Sequence, residues 1–217
     1  MSPIDNPIDL DDAYSVSGPE QNRELYARWA SSYEETFIAA EGYRYHERVA
    51  RIFVEKGGKG PVLDAGCGTG VVGLELSRLG VGPIDGVDIS QEMLGEARQK
   101  RVGVDQVYRD LMEGDLTASL AIKSGSYRGI VSAGTFTHGH LGPGALDELI
   151  RVAVPAALCV IGVNSAHYTN LGFEDRFDFL VSDGQIGNYE LLPTPIYDSS
   201  NLDDPDRISN VVVFVVS

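Results

Sequence analysis

Two spacings of apolar residues divide the chain. Leu25, Trp29 and Tyr33 recur every four residues, and Tyr45, Val49, Ile52 and Phe53 share one face of a second segment, Tyr43 to Lys56. Both are helical spacings. Gly57-Gly58 ends the second helix, because glycine takes the left-handed turn that closes one. Short apolar runs then take over: Val62-Leu63, Ile84 to Asp88, a weaker run from Val107 to Glu113, Gly129 to Gly134, and Ala156 to Val163. Helical stretches separate them, from Val71 to Leu79, after Ser90 with Met93, Leu94 and Ala97, and from Ala145 to Val154. Strands that alternate with helices predict an α/β fold with a parallel sheet. Phe173 to Val181 reads as a further helix, and Glu190 to Tyr197 and Asn210 to Val216 as the last two strands. Pro193 and Pro195 keep the first of these near an edge or in two pieces. The unbroken apolar run Val211 to Val216 suits a strand covered on both faces. Residues 1–19 are rich in Asp, Pro and Ser, bury little, and are expected to be a mobile acidic arm. Residues 20–57 then form two cap helices, and 58–217 the main domain.

The most informative stretch is Val62 to Gly70, Val-Leu-Asp-Ala-Gly-Cys-Gly-Thr-Gly. It reads as a strand, a tight glycine turn and a helix start. Glycines there allow positive φ and let a ligand lie against bare backbone. The helix that follows offers unpaired N–H groups. Asp88 ends the next strand about twenty residues further on, where a carboxylate can accept both hydroxyls of a ribose. Asp64-Ala65-Gly66-Cys67-Gly68-Thr69-Gly70 resembles motif I of the class I S-adenosylmethionine (SAM) dependent methyltransferases, Asp/Glu-x-Gly-x-Gly-x-Gly. Gly68 to Gly73 also spells the dinucleotide pattern G-x-G-x-x-G. In that register the strand would run on through Gly66 and Cys67, with Asp64 buried inside it, which is costly unless the acid is paired. In the methyltransferase register Asp64 lies at the rim, near the ligand's ammonium group.

The resemblance implies a Rossmann-like seven-stranded, mostly parallel sheet with helices on both faces and an antiparallel last strand. It also implies S-adenosyl-L-methionine as cofactor. Tyr26-Ala27-Arg28-Trp29-Ala30-Ser31-Ser32-Tyr33 is similar to the entry segment of many small-molecule members. There the second tyrosine, here Tyr33, contacts the methionine end. By the same resemblance Ile89 and Met93 line the adenine, Asp115 accepts from its amino group, and Leu116 offers a backbone N–H. Gly66, Cys67, Gly68 and Ala133 complete the expected cofactor set. The Asn/Asp-Pro-Pro-Tyr/Phe signature of amino-group enzymes acting on bases or amides is missing, and Ser132-Ala133-Gly134-Thr135-Phe136 stands in its place. The run Val62 to Val163, with the loop Gly134-Thr135-Phe136-Thr137-His138-Gly139-His140, resembles the Williams–Beuren-region methyltransferase-like family.

Methyl transfer from a sulfonium needs the acceptor held in line and water kept out. A hydroxyl or carbon acceptor also needs a base. His138, His140, His167 and Tyr168 are the candidates, read as lying on loops beyond the fourth and fifth strands. His138 is the residue expected to act as catalytic base. Two histidines in His-x-His without a third ligand do not make a metal site, and no metal is expected.

Charge narrows the partners. The chain carries 17 basic and 32 acidic residues, a net charge of −15. Such a field repels phosphate backbones, so nucleic acid is not the expected substrate. Two cysteines, Cys67 and Cys159, give no disulfide framework and fit a reducing compartment. No apolar run approaches the roughly 20 residues of a membrane span, and no signal peptide opens the chain. These features point to a cytoplasmic monomer or homodimer acting on a small molecule. A SAM-binding protein without transferase activity and an NAD-dependent oxidoreductase are the two alternatives.

Overall fold

The computed structural model describes residues 18–40, 42–137, 140–198 and 207–217. The expected arm thus lies outside the described residues except for its last two. Helix α1, Pro19–Trp29, opens on Gly18, and a π-helical turn, Glu34–Ala39, carries the chain to helix α2, Tyr45–Glu55. The main domain follows as β1 (Val62–Ala65), α3 (Val71–Arg78), β2 (Ile84–Asp88), α4 (Gln91–Ala97), a small hairpin of β3 (Arg101–Val102) and β4 (Asp105–Gln106), and β5 (Tyr108–Glu113). Then come β6 (Tyr127–Phe136), α5 (Ala145–Val152), β7 (Ala153–Asn164), α6 (Ser165–Asn170), α7 (Phe173–Ser182), β8 (Glu190–Pro195) and β9 (Ile208–Val215).

The seven-stranded sheet runs in the order β5-β2-β1-β6-β7-β9-β8. The first five strands are mutually parallel, and β9 enters antiparallel between β7 and β8. Side chains alternate across the sheet, as the strand period demands. Val62, Val131, Val160 and Val211 face the cap helices and α3. Leu63, Ile130, Cys159 and Val212 face α5 and α7. Strand order reverses between β1 and β6, and in open α/β sheets that switch point is where a crevice forms at the carboxyl ends.

Three elements escape the apolar spacing. The π-helical turn packs Phe37 under Trp29 and Tyr43. The hairpin β3–β4 is two residues per strand and exposes Val104. Helix α6 replaces the loop expected beyond β7. Its start is capped by Asn164, whose side chain accepts the His167 N–H at 3.1 Å.

Candidate active site

The floor of the crevice is set by Asp64. It was expected at the rim, and the structure corrects this. Asp64 sits inside β1, fully buried, and takes no part in lining the crevice. Its Oδ2 accepts the Gly73 N–H at 3.1 Å and the Tyr108 hydroxyl at 2.6 Å. Burial pushes its carboxyl up to about 7, against these two hydrogen bonds, which favour the ionised form. A Cβ at Gly73 would overlap the Tyr108 hydroxyl. The third glycine of the G-x-G-x-x-G string therefore admits the protein's own tyrosine. The buried acid is paired, so its burial does not separate the two registers of the glycine motif.

Above this floor the turn is tight. Gly66 has φ +71°, and a Cβ there would overlap the Thr135 side chain on β6. Gly68 has φ +52°, and a Cβ there would meet nothing within 4 Å. Its open side is the crevice. Asp88, at the end of β2, ties the turn to the next one. Its Oδ2 accepts the Gly68 N–H at 2.8 Å and its Oδ1 the Ser90 N–H at 3.0 Å. Burial raises the Asp88 pKa, against the backbone donors that lower it. Each carboxylate oxygen keeps a further lone pair, so the group can still accept from a vicinal diol. Ser90 caps α4 by accepting the Met93 N–H at 3.2 Å, and this fixes Met93 beside the crevice.

Ile89, Met93 and Leu116 give the crevice an apolar slot, with Asp115 beside it. The Asp115 Oδ1 accepts from the Thr117 N–H at 2.8 Å and from its hydroxyl at 2.7 Å, an Asx turn that holds the carboxylate in place. Tyr33, Gly66, Cys67, Gly68 and Ala133 line the same crevice. Of the expected cofactor residues, Asp64 alone stands apart.

The cap adds residues that sequence reasoning missed. Tyr26, Tyr43 and His46 also line the crevice. His46 is buried, stacks on Tyr43 at 5.6 Å between ring centroids and 11° between planes, and its Nδ1 has no hydrogen-bond partner among the described residues. Burial lowers its pKa, so the ring is held neutral and Nδ1 is available as an acceptor. A histidine beside Tyr45 and near Val49, on the apolar face of α2, was the sequence signal for it.

A second chamber adjoins the crevice. Trp29, Phe37, Tyr45 and Tyr197 wall it. Tyr26, Tyr33, Tyr43, Gly134 and His140 line both spaces and form a threshold between them. A Cβ at Gly162 would overlap the Tyr45 hydroxyl. Its absence lets that hydroxyl reach Ser209 on β9 at 2.5 Å. Trp29 is held by its indole N–H, which donates to the Thr36 hydroxyl at 2.9 Å.

The four base candidates fare differently. His138 lies outside the described residues. His140 stands at the threshold, its ring 5.6 Å from that of Tyr26. His167 and Tyr168 lie on helix α6, not on a loop, and line neither space. His167 is buried with Nε2 2.8 Å from the Leu141 carbonyl, and Tyr168 stacks on Phe173 and Phe177. Both are packing residues.

Residues 62–156 match a family model described as a methyltransferase domain. No curated protein sequence matches the chain. Among solved structures, it is similar to magnesium protoporphyrin IX methyltransferase from Synechocystis PCC 6803 with bound SAH, at 19% identity and a TM-score of 0.63, over 92% of this chain and 99% of that one. It is also similar to a TehB-like SAM-dependent methyltransferase from Corynebacterium glutamicum, at 24% identity and a TM-score of 0.58, over 92% and 100%. A SAM-dependent methyltransferase from Aquifex aeolicus aligns at 18% identity and a TM-score of 0.60, over 88% and 98%. These likenesses carry the fold. The family match makes residues 62–156 a methyltransferase domain, and its glycine turn and strand-end acids line a crevice that fits SAM as cofactor.

Proposed function

We propose that this chain is a class I SAM-dependent methyltransferase acting on a small-molecule acceptor held in the aromatic chamber. The observation that carries this is the shared threshold: one set of side chains lines both the cofactor crevice and a second space beside it. The crevice suits SAM in shape and chemistry. Gly68 leaves its wall open, Asp88 has lone pairs for the ribose diol, and the neutral His46 Nδ1 suits an ammonium donor. Ile89, Met93 and Leu116 would sandwich the adenine, with Asp115 at its amino edge. Bound SAM supplies a methyl group already activated by its sulfonium. The chain's own part is to align the acceptor and exclude water. The apolar rings of the cap that wall the chamber would serve the second of these.

The proton acceptor is assigned to the loop from Thr137 to His140. His138 is the candidate from sequence, and His140 is the described imidazole at the threshold. Work in the cytoplasm, as a monomer or homodimer, is supported by two unpaired, buried cysteines and by the acidic charge. Among the described residues no helix is long and apolar enough to cross a membrane. The reading is tested by calorimetry with SAM and NAD. SAM should bind and raise the melting temperature, as ligand linkage requires, and NAD should not. Binding of NAD without SAM would refute it.

A further inference from the structure

We propose that the aromatic chamber selects an uncharged, single-ring acceptor bearing a hydroxyl group, and places that hydroxyl at the threshold beside His140. This rests on the reading of the chamber as the acceptor pocket and names what that pocket takes.

Four features converge on this class. The walls are rings packed on one another, with Trp29 and Tyr33 edge-to-face at 5.0 Å and 80°, and Phe37 and Tyr43 tilted at 4.9 Å and 44°. A planar guest continues that packing favourably. The chamber is the smaller of the two spaces, so it takes a guest smaller than the cofactor, of which a single ring is the simplest. Among the described residues, no Lys, Arg, Asp or Glu lines the chamber. A charge carried inside would lose its hydration without gaining a partner. Aromatic faces can hold a cation, but the sulfonium of bound SAM would already bring one to the crevice, and two like charges repel strongly across an apolar space. An anion meets no cationic side chain in the wall and approaches against the net charge of −15.

The polar groups of the wall sharpen the choice. The Tyr45 hydroxyl is engaged with Ser209, the Trp29 N–H with Thr36, and the Asn164 side chain with the His167 N–H. His140 is the imidazole present in both linings. An acceptor hydroxyl passing from the chamber to the crevice would meet it there. In the transfer the acceptor oxygen forms its bond to the methyl carbon as the sulfur–methyl bond breaks. The electron pair of that bond stays on sulfur, and the hydroxyl proton passes to the His140 imidazole and then to water.

Trp29 is the sole tryptophan of the chain and is part of the chamber wall. Its emission therefore reports occupancy without any turnover. The test titrates phenol, benzylamine and benzoate into the full chain with saturating S-adenosylhomocysteine and separately with SAM. These probes share one ring and differ in charge. Phenol should shift the Trp29 emission saturably, at least tenfold more tightly than benzoate with either cofactor and than benzylamine with SAM. Phe37→Leu should weaken phenol about fivefold and leave S-adenosylhomocysteine affinity unchanged. Tighter binding of benzoate with either cofactor, or of benzylamine with SAM, overturns the proposal. So does a complex that binds S-adenosylhomocysteine but none of the three probes, and that result leaves the methyltransferase reading standing. Failure to bind S-adenosylhomocysteine itself refutes both.

Discussion

The cofactor crevice and the acceptor chamber are neighbours built on opposite plans. The crevice is made at the ends of consecutive parallel strands, from glycines and carboxylates whose positions follow from the chain's own order. The chamber is made from rings that meet across the sequence. Tyr43 pairs with Tyr197 in an isolated antiparallel bridge, and Tyr45 reaches Ser209. On the proposed reading the crevice binds by backbone geometry and charge, and the chamber by shape and the exclusion of water. A binding motif can be complete in one stretch of sequence while the proposed substrate side is split between a local segment, Tyr26 to Tyr33, and distant residues such as Tyr197 and Ser209.

The predictions probe how separable the two plans are. Gly66→Val should have the largest effect. The new side chain must displace Thr135 from a backbone at φ +71°, and SAM binding should be lost by calorimetry, with at least a 1000-fold rise in Kd expected from strain and blockage together. Retained SAM affinity would mean that the turn is not the cradle.

Asp64 tests the floor. Its pKa is raised on folding, from an ordinary carboxylate value to about 7. The folded protein then holds a proton that the unfolded chain has lost between about pH 4 and pH 7. Stability should therefore fall as pH rises through that window, by on the order of 3 kcal/mol. Asp64→Asn should flatten the decline, as measured by chemical denaturation at several pH values. An unchanged slope would place the titration elsewhere.

On the acceptor side, once a substrate is in hand, His140→Gln should lower turnover on the order of 100-fold, the size of a lost general base, with SAM affinity intact. His138→Ala is the control from the same loop. The residue whose loss costs turnover without a change in SAM affinity is the base. Near-normal turnover in both variants leaves alignment alone as the mechanism. Asp88→Ala should weaken SAM by about 1.5–3 kcal/mol through loss of a charge-assisted pair of hydrogen bonds, and leave the Trp29 response to phenol intact. Loss of that response would show that the two regions are not independent.

The crevice was legible because its signals are local. The alternation of apolar runs and helical spacings located every strand of the main sheet, and the strand-end acids Asp88 and Asp115 fall where they line the crevice. Asp64 was misplaced for a physical reason. The burial cost that argued against it inside the strand is offset in part by the Tyr108 hydroxyl, a partner 44 residues away that no window around the motif contains. Helix α6 was missed because six residues are too few to show a period, and its start depends on the Asn164 side chain. The role of His46 escaped because a buried histidine on an apolar helix face reads as packing until its neighbours are known.

One consequence of the sheet order concerns how the protein is made. Strand β8 has a single neighbour, β9, and β9 follows it in the chain. While β9 is still being synthesised, β8 is an unpaired strand with no place in the growing sheet. Such strands recruit one another and nucleate aggregates. Pro193 and Pro195 remove two of its N–H donors. The aligned partners, Asn210 and Ile208, leave the finished ladder intact around them. The prolines thus act before the enzyme exists as a folded object, by keeping one nascent chain from pairing with the next.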